Sequence, residues 1–588
     1  MKQFAKASVA ATVVAAIAGV VHADTYTFID IGTPDTLRNL TPVALNESGE
    51  VLAQGRFPLD IEINLELITN QQKANAGIRI PAEGEDPITE LTASQYDRLL
   101  PQLEDTRNGE LRSQRVGFNR AVSYDGTLAT DKYFLSTAEQ LANSSDSFVT
   151  GLNEAGMRVG YGSAPYEGYE FTRTVTENDE EVEIIETFHR RAFTTRGVWQ
   201  WGSEQTVIEP PFTEEFGGES ALFDINDNNV AVGYASVGLS PFAVAEIADC
   251  KEAATAEDAF QPANACIWGT WLNTYNRSIN YLRTSFFDRS EIISNSSIYD
   301  NRAYLWQLDS NGNVLSATEF GTLLPRDAED EQDFSSYAYA VNNQDIAVGQ
   351  SWTYRNGEFG DRSRIKMPAI FIDGEALPVT TDEQYVWGAA LDINDNNQVI
   401  GYVKKSINNY LRDVAFIYDL NAENPELVEL PRLFDSSSTV VNAINNNGVV
   451  VGTAESEASI NENRRRIGFY MDLNAEAPRL IDLNDAIACT SDYFIVSAED
   501  INDQGDIVAT AVVEETYTRD DGEEDVRLVS RTLVMNPTAG EVNNCSATRE
   551  LTERQGAASG LGMGLGILLI GVLITTRRRI MKGANNLI

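Results

Sequence analysis

The stretch TVVNAINNNGVVVGTA, residues 439–454, decides the fold class of this chain. Residues 439–444 are rich in β-branched side chains, which favour a strand. The Asn-Asn-Asn-Gly run at 445–448 accepts the positive φ values of a tight turn, and a second apolar run follows at 449–454. The stretch therefore predicts a β-hairpin.

Two more apolar runs follow this hairpin, at 466–473 and 479–483. Equivalents of the first of them recur at 302–306, 368–372 and 414–418. Four short strands in roughly 50 residues are typical of one blade of a β-propeller. We therefore interpret 439–483 as one blade of a repeating all-β fold.

This hairpin motif occurs seven times in the sequence. The order of residues in each copy is an apolar residue, Asn, two variable positions, a turn residue, one variable position, two apolar residues and a small residue. From Asn342 onward the copies lie 51 to 57 residues apart, and earlier gaps reach 107 and 116 residues. We predict a β-propeller of seven to eight four-stranded blades; a β-solenoid or a sandwich is the alternative. The repeated asparagines, interpreted as structural turn residues, are Asn46, Asn153, Asn226, Asn342, Asn394, Asn445 and Asn502.

A propeller must close into a ring, and the two ends of the chain provide the means. The last repeat has a third strand at 531–535 but no clear apolar fourth strand, whereas residues 26–31 read as a fourth strand. We predict that this N-terminal strand completes the last blade and so removes an exposed sheet edge. The propeller would then span 24–545, with insertions near 56–120 and 236–285.

The N-terminus has the features of a secretory signal peptide at 1–23. Lys2 and Lys6 precede an apolar stretch at 7–21, and small residues place the cleavage site between Ala23 and Asp24. An uncleaved N-terminal anchor is the alternative.

A second membrane signal lies at the C-terminus, after a linker at 546–555. Residues 556–576 carry no charge, and a helix of 21 residues spans roughly 30 Å, one hydrocarbon core. A cationic tail follows at 577–588, and its arginines would stop transfer on the cytoplasmic side. These membrane-stop residues are Arg577, Arg578 and Arg579. We predict a transmembrane helix, with the body of the protein on the periplasmic side or at the cell surface.

The Asn-Asp-x-Gly-x-Val-Val-Gly units, followed by Ala-Phe-apolar strands, resemble the bacterial HAF family of extracellular repeat proteins. The resemblance implies a secreted proteobacterial protein with a C-terminal anchor and no established activity. The Gly-rich run at 559–564, the apolar span and the arginine cluster resemble C-terminal sorting signals of the Gly-Gly-CTERM type. That resemblance implies a rhomboid-like sorting protease as a partner and release after cleavage, so a permanent anchor and a transient signal are both open.

Composition narrows the classes of partner and compartment. The chain has 44 Lys and Arg against 88 Asp and Glu, a net charge of −44, which argues against a nucleic-acid partner.

Four cysteines in an exported chain suggest two disulfides. Of the three available connectivities we predict the nearest-neighbour one, Cys250 with Cys266 and Cys489 with Cys545.

Catalytic and metal-binding signatures are sparse, and we predict no catalytic residue, no metal ligand and no cofactor. The only histidine after the signal peptide, His189, has a charged setting that we interpret as a solvated surface. Calcium is the alternative, because Asp224-x-Asn226-x-Asn228 and similar runs at 392 and 500 alternate oxygen ligands. Capping of the turn by Asn explains all seven copies, whereas calcium explains three.

The leading interpretation is an envelope-associated or secreted, non-enzymatic binding or structural module for an extracytoplasmic ligand of no indicated class. One alternative is a secreted glycan- or polymer-acting hydrolase that uses acidic residues, which would place Asp or Glu with Arg or Tyr at one mouth of the ring. The other is a calcium-stabilised adhesin.

Overall fold

The computed structural model describes residues 25–545, apart from 83–84, 87, 105–110, 178–179, 257, 283–296, 361–362, 459–463 and 520–521. The signal peptide with its Ala23–Asp24 site, the linker, the 556–576 helix and the tail with Arg577 to Arg579 lie outside the described residues. In the part of the chain that is described, no helix is long and apolar enough to cross a membrane. Residues 1–543 form one compact unit, and 544–588 a second, of which only 544 and 545 are described.

The elements are almost all β-strands. The strands are β1 Thr25–Asp30, β2 Leu37–Leu45, β3 Val51–Pro58, β4 Asn119–Tyr124, β5 Leu128–Asp131, β6 Ser147–Leu152, β7 Arg158–Gly162, β8 Glu167–Glu177, β9 Glu180–Arg190, β10 Arg196–Trp201, β11 Glu204–Ile208, β12 Ser220–Ile225, β13 Val230–Leu239, β14 Tyr299–Leu308, β15 Val314–Glu319, β16 Ser336–Val341, β17 Ala347–Tyr354, β18 Arg364–Ile372, β19 Glu375–Pro378, β20 Tyr385–Ile393, β21 Gln398–Ile407, β22 Tyr410–Asp419, β23 Val428–Glu429, β24 Thr439–Ile444, β25 Val449–Glu455, β26 Arg466–Asp472, β27 Ile481–Asp482, β28 Phe494–Ile501, β29 Ile507–Thr518 and β30 Glu524–Thr538. The helices are α1 Asn70–Asn75, α2 Ala93–Leu99, α3 Pro241–Ala253 and α4 Ala263–Leu282.

The strands form seven four-stranded antiparallel sheets and one separate hairpin, β8–β9. In chain order the blades are β2-β3-β4-β5, β6-β7-β10-β11, β12-β13-β14-β15, β16-β17-β18-β19, β20-β21-β22-β23, β24-β25-β26-β27 and β28-β29-β30-β1. The predicted all-β propeller is confirmed, with seven blades.

The ring closes between the two ends of the unit, as predicted. Strand β1 pairs antiparallel with β30, from Thr25 opposite Thr538 to Asp30 opposite Leu533. The free edge of β1 is partly covered, because the Tyr26 N–H donates to the Ala486 carbonyl at 2.8 Å. The seventh blade therefore combines strands from both ends of the sequence.

The small residue that ends each repeat has a steric cause. The register of the first strand shifts in every blade, as between Val441 and Ala443 in the sixth. Next to this irregularity the second strand approaches closely, and a Cβ on Gly452 would lie 2.1 Å from the Val440 carbonyl oxygen. Only Gly or a locally adjusted Ala fits there.

Apolar side chains of successive blades pack against one another to form the core. Ile400 and Ala415 of the fifth blade, for example, share a buried cluster with Val441 and Phe469 of the sixth. Trp199 and Trp306 take part in this packing. Three further tryptophans are buried elsewhere, Trp352 in β17 and Trp268 and Trp271 in α4.

The first three blades carry insertions between their second and third strands. The first and third insertions span 59–118 and 240–298. The insertion in the second blade, the β8–β9 hairpin, was not predicted because its strands look like blade strands in sequence.

The cysteines pair as predicted, Cys250 with Cys266 and Cys489 with Cys545, and no described cysteine is free. Two disulfides are typical of an oxidising, extracytoplasmic compartment.

The prediction that His189 lies on a solvated surface is wrong. His189 is 3% exposed, and its Nδ1 lies 3.0 Å from the Leu111 carbonyl oxygen. Burial lowers its pKa. Of the two arginines that follow it in sequence, Arg190 is exposed but Arg191 is buried as well, and His189 faces the 59–118 insertion.

Candidate functional site

The two ends of the propeller are formed by different sets of connections between strands. The turns between the first and second strands, each of which contains a repeat asparagine, lie at one end, here called the hairpin face. Because strands in a blade are antiparallel, the connections between second and third strands lie at the other end, here called the insertion face.

The seven repeat asparagines form a closed ring at the hairpin face. Each side-chain Nδ2 donates to the backbone carbonyl of the asparagine in the next blade, over 2.8 to 3.4 Å. The series runs Asn46, Asn153, Asn226, Asn342, Asn394, Asn445, Asn502 and back to Asn46.

The same asparagines also close their own turns. In all seven, Oδ1 accepts from the backbone N–H four residues later, as Asn445 does from Val449 at 2.9 Å. A side-chain amide can accept through its oxygen and donate through its nitrogen at the same time. Each buried asparagine therefore shapes its hairpin and joins it to the next blade.

A second ring lies one residue further along the chain. Each residue after a repeat asparagine donates its N–H to the side-chain oxygen of its counterpart in the next blade, over 2.6 to 3.0 Å. Five members are acidic, and the ring comprises Glu47, Glu154, Asp227, Asn343, Asp395, Asn446 and Asp503. Sequence reasoning missed this ring, although Asp, Glu or Asn follows the asparagine in every copy.

The two rings surround an opening of about 200 Å³ on the propeller axis. Its lining consists of Asn, Asp, Glu, Leu, Ile and Val; the described residues that line it include no Arg, Lys, His or Tyr. The pairing of acids with Arg or Tyr that a hydrolase would require is therefore not found among the described residues of this mouth.

Three deeper carboxylates also bridge blades. Asp224, Asp392 and Asp500 accept the backbone N–H groups of Val341, Ile444 and Leu45 in the following blades, over 2.8 to 2.9 Å. Burial, then the charges of Asp500 and Asp224, raise the pKa of Asp392 to about 7.

In each run that suggested calcium, the side-chain oxygens of the Asp and of the repeat Asn thus accept backbone hydrogen bonds. Within the described ranges, no three His, Cys, Asp or Glu side chains are grouped to hold a metal ion.

The insertion face has no such repetition. Its seven connections span 59–118, 163–195, 240–298, 355–363, 408–409, 456–465 and 519–523, and no two have the same length. Leu111, Phe188 and Trp268, one from each of the three largest, share a buried apolar cluster. Elsewhere apolar side chains project into solvent near the connections, such as Tyr410 at 57% and Leu528 at 70% exposed.

Comparison with solved structures gives distant similarities. The chain is 12% identical to prolyl oligopeptidase B from Galerina marginata, with 40% of this chain and 32% of that one covered and a TM-score of 0.23. It is 13% identical to acylaminoacyl peptidase from Pyrococcus horikoshii, over 71% of this chain and 54% of that one, with a TM-score of 0.29. It is 9% identical to polysaccharide lyase Uly1, over 87% and 100%, with a TM-score of 0.34.

The chain thus spans 32% and 54% of the lengths of the two peptidases. No curated protein has a significantly similar sequence. The model of one family, described as "Protein of unknown function (DUF3466)", matches residues 3–579, and the chain therefore belongs to this family.

Proposed function

We propose that this protein is an exported, non-enzymatic β-propeller that binds a partner through its insertion face. The observation that carries the proposal is the contrast between uniform turns at one end of the ring and seven different connections at the other. Loops that a rigid scaffold positions are the usual carriers of binding residues. The acids of the hairpin face, by contrast, already accept hydrogen bonds from neighbouring blades.

The proposal includes the route to the envelope. The 1–23 segment would direct export, and the 556–576 segment would anchor the protein or be removed by a sorting protease after transfer. The two disulfides support an extracytoplasmic location. Mass spectrometry of the mature protein from membrane and medium tests this route, with an expected N-terminus at Asp24. An N-terminus at Met1 in all of the material would contradict it.

Photocrosslinking in intact cells tests the binding face. A photoreactive amino acid at Tyr410 or Leu528 places the probe on exposed insertion-face positions. The same residue at Asn447 or Ser48, exposed in hairpin-face turns, is the matched control. We expect discrete crosslinked species from the first pair and none from the second. Crosslinks from the hairpin face alone, or from neither face, would refute the proposal.

A further inference from the structure

One buried carboxylate connects the helical insertion to the propeller. Glu219 precedes the first strand of the third blade and is 5% exposed. Its Oε1 accepts from Trp271 Nε1 of α4 at 3.0 Å and from Thr194 Oγ1, before β10, at 3.1 Å. Its Oε2 accepts from Ser297 Oγ, before β14, at 3.0 Å. A single side chain therefore links α4 to the second and third blades.

The helix that Glu219 holds carries the apolar part of the insertion face. Trp271 stacks on Trp268 with ring centroids 4.9 Å apart, and Trp268 packs edge-on against Tyr166 at 6.1 Å. The Cys250–Cys266 disulfide joins α4 to α3. Movement of α4 would therefore carry α3 with it and alter the shape of the insertion face.

The groups that donate hydrogen bonds directly to Glu219 are uncharged. The negative charge of an ionised Glu219 is therefore only partly balanced by its neighbours. Arg196 of β10 faces it but pairs with Glu209 at 2.9 Å. The other titratable groups that face it are Tyr299 of β14 and Tyr337 of β16, and Asn301 of β14 adds an amide.

Further charged groups lie around the residues that face Glu219. The Arg115 and Arg191 guanidinium groups lie 6.0 Å from the Trp268 ring. The Glu215 carbonyl accepts from Tyr299 Oη, and the Glu215 carboxylate pairs with Lys251 of α3.

This environment sets the sign of the pH effect. Burial raises the pKa of Glu219, and the hydrogen bonds from Trp271, Ser297 and Thr194 offset only part of that rise. An undocked α4 would expose Glu219 to water, where its pKa returns to the ordinary range. The docked state therefore holds the proton more tightly. Docking is fully stabilised below the ordinary Glu pKa, and this contribution is lost as pH rises through the raised value.

We propose that Glu219 is a pH-sensitive latch that keeps the α3–α4 hairpin docked while its carboxyl is protonated and loosens it as rising pH ionises that carboxyl. The latch follows from the contacts of Glu219 alone; its role in regulating a binding surface rests on the function proposed above.

Hydrogen exchange of the full-length protein, measured by mass spectrometry at about pH 5.5 and about pH 8.5, tests the latch. After correction for intrinsic exchange rates, we expect wild-type α3 and α4 to lose about fivefold in protection at the higher pH relative to β24–β25. Glu219→Gln keeps the size and the acceptor but cannot ionise, so its loss should stay below about twofold.

A matched control is Glu499→Gln, which alters a buried glutamate of the seventh blade that accepts from Thr510 and Asn442. It should behave like the wild type in α3 and α4. Equal pH dependence in wild type and Glu219→Gln, or none in wild type, would overturn the latch.

If Glu219→Gln lost protection throughout the propeller, Trp271→Phe would replace it as the test. That change removes one donor to the ionised carboxylate and should increase the loss of protection at high pH. No increase would also overturn the latch. The readout is exchange rather than binding, so failure of the latch and failure of the crosslinking test are separate results.

Discussion

The hairpin face and the insertion face come from the same seven repeats but differ in what their residues contact. At the hairpin face every turn touches the next copy, and the same two bonds recur. The repeat asparagine donates to the backbone carbonyl of the next repeat asparagine, and the residue after it donates its N–H to the acid or amide that follows that asparagine. At the insertion face the connections range from two residues, 408–409, to the helical insertion at 59–118. Hydrogen bonds that repeat from blade to blade require the same residue types in every copy. The apolar cluster that joins three of the insertions makes no such demand on the other four connections.

The largest effect on the unfolding free energy should come from a bulky side chain placed beside a repeat turn. Gly452→Val would place a side chain against the Val440 carbonyl, and we expect a loss of more than about 3 kcal/mol in unfolding free energy or failure to fold. Urea denaturation provides the measurement. The control on the insertion face is Gly269→Ala in α4, where a Cβ meets nothing within 4 Å; it should be neutral or slightly stabilising. A tolerated valine would show that the two strands can separate.

The next effect should come from the asparagine ring itself. Asn445→Ala removes the donor to Asn502 and the acceptor for Asn447 and Val449, so we expect a loss of about 2–3 kcal/mol by urea denaturation. Asn446→Ala, in the exposed second ring, should cost less than about 1 kcal/mol. Equal losses would mean that the inner ring contributes no more than its neighbour.

A buried cation near the insertion face should give a pH-dependent effect. Lys366 lies against Tyr337 and Trp352, and burial lowers its pKa to about 7 despite the opposing charge of Asp333. Because the unfolded chain binds this proton more tightly, stability should rise with pH from about 7 to about 10.5.

Lys366→Met should therefore gain about 1–2 kcal/mol near pH 7 and lose that advantage by about pH 10.5, as measured by urea denaturation across this range. Lys405→Met, which alters a partly exposed lysine paired with Glu429, is the control and should show no such crossover. A destabilised Lys366→Met protein at every pH would contradict the prediction.

The smallest effect on stability should come from exposed side chains at the tips of the insertion face, next to connections such as 408–409. Tyr410→Ser with Leu411→Ser changes two largely exposed side chains, so the unfolding free energy should stay within about 0.5 kcal/mol of wild type. The same variant should remove the crosslinks obtained from Leu528 if both tips contact one partner. A large loss of stability would show instead that the tip supports the blade.

The repeated hairpin could be predicted from the sequence because all of its parts are adjacent in the chain. A strand, a turn and a return strand occupy 439–454 without interruption. The blade count was open between seven and eight because the long gaps could have held another blade. The structure fills the first with the 59–118 insertion, which contains α1 and α2, and the second with the insertion that contains α3 and α4.

The second ring escaped prediction because it joins residues such as Asp395 and Asn446, 51 positions apart, through a site that varies among Asp, Glu and Asn. His189 was misjudged for a similar reason, since its burial depends on Leu111, 78 positions away. A single sequence shows which residues recur, but it does not show which of them contact one another.

The pairing of β1 with β30 also orders events during synthesis. Thr25 and Thr538 bond each other although 513 positions separate them. The earliest strand to emerge must therefore wait for nearly the whole polypeptide before its partner exists. A prematurely terminated chain would keep an open ring with an unsatisfied edge, which quality-control proteases can distinguish from a finished molecule.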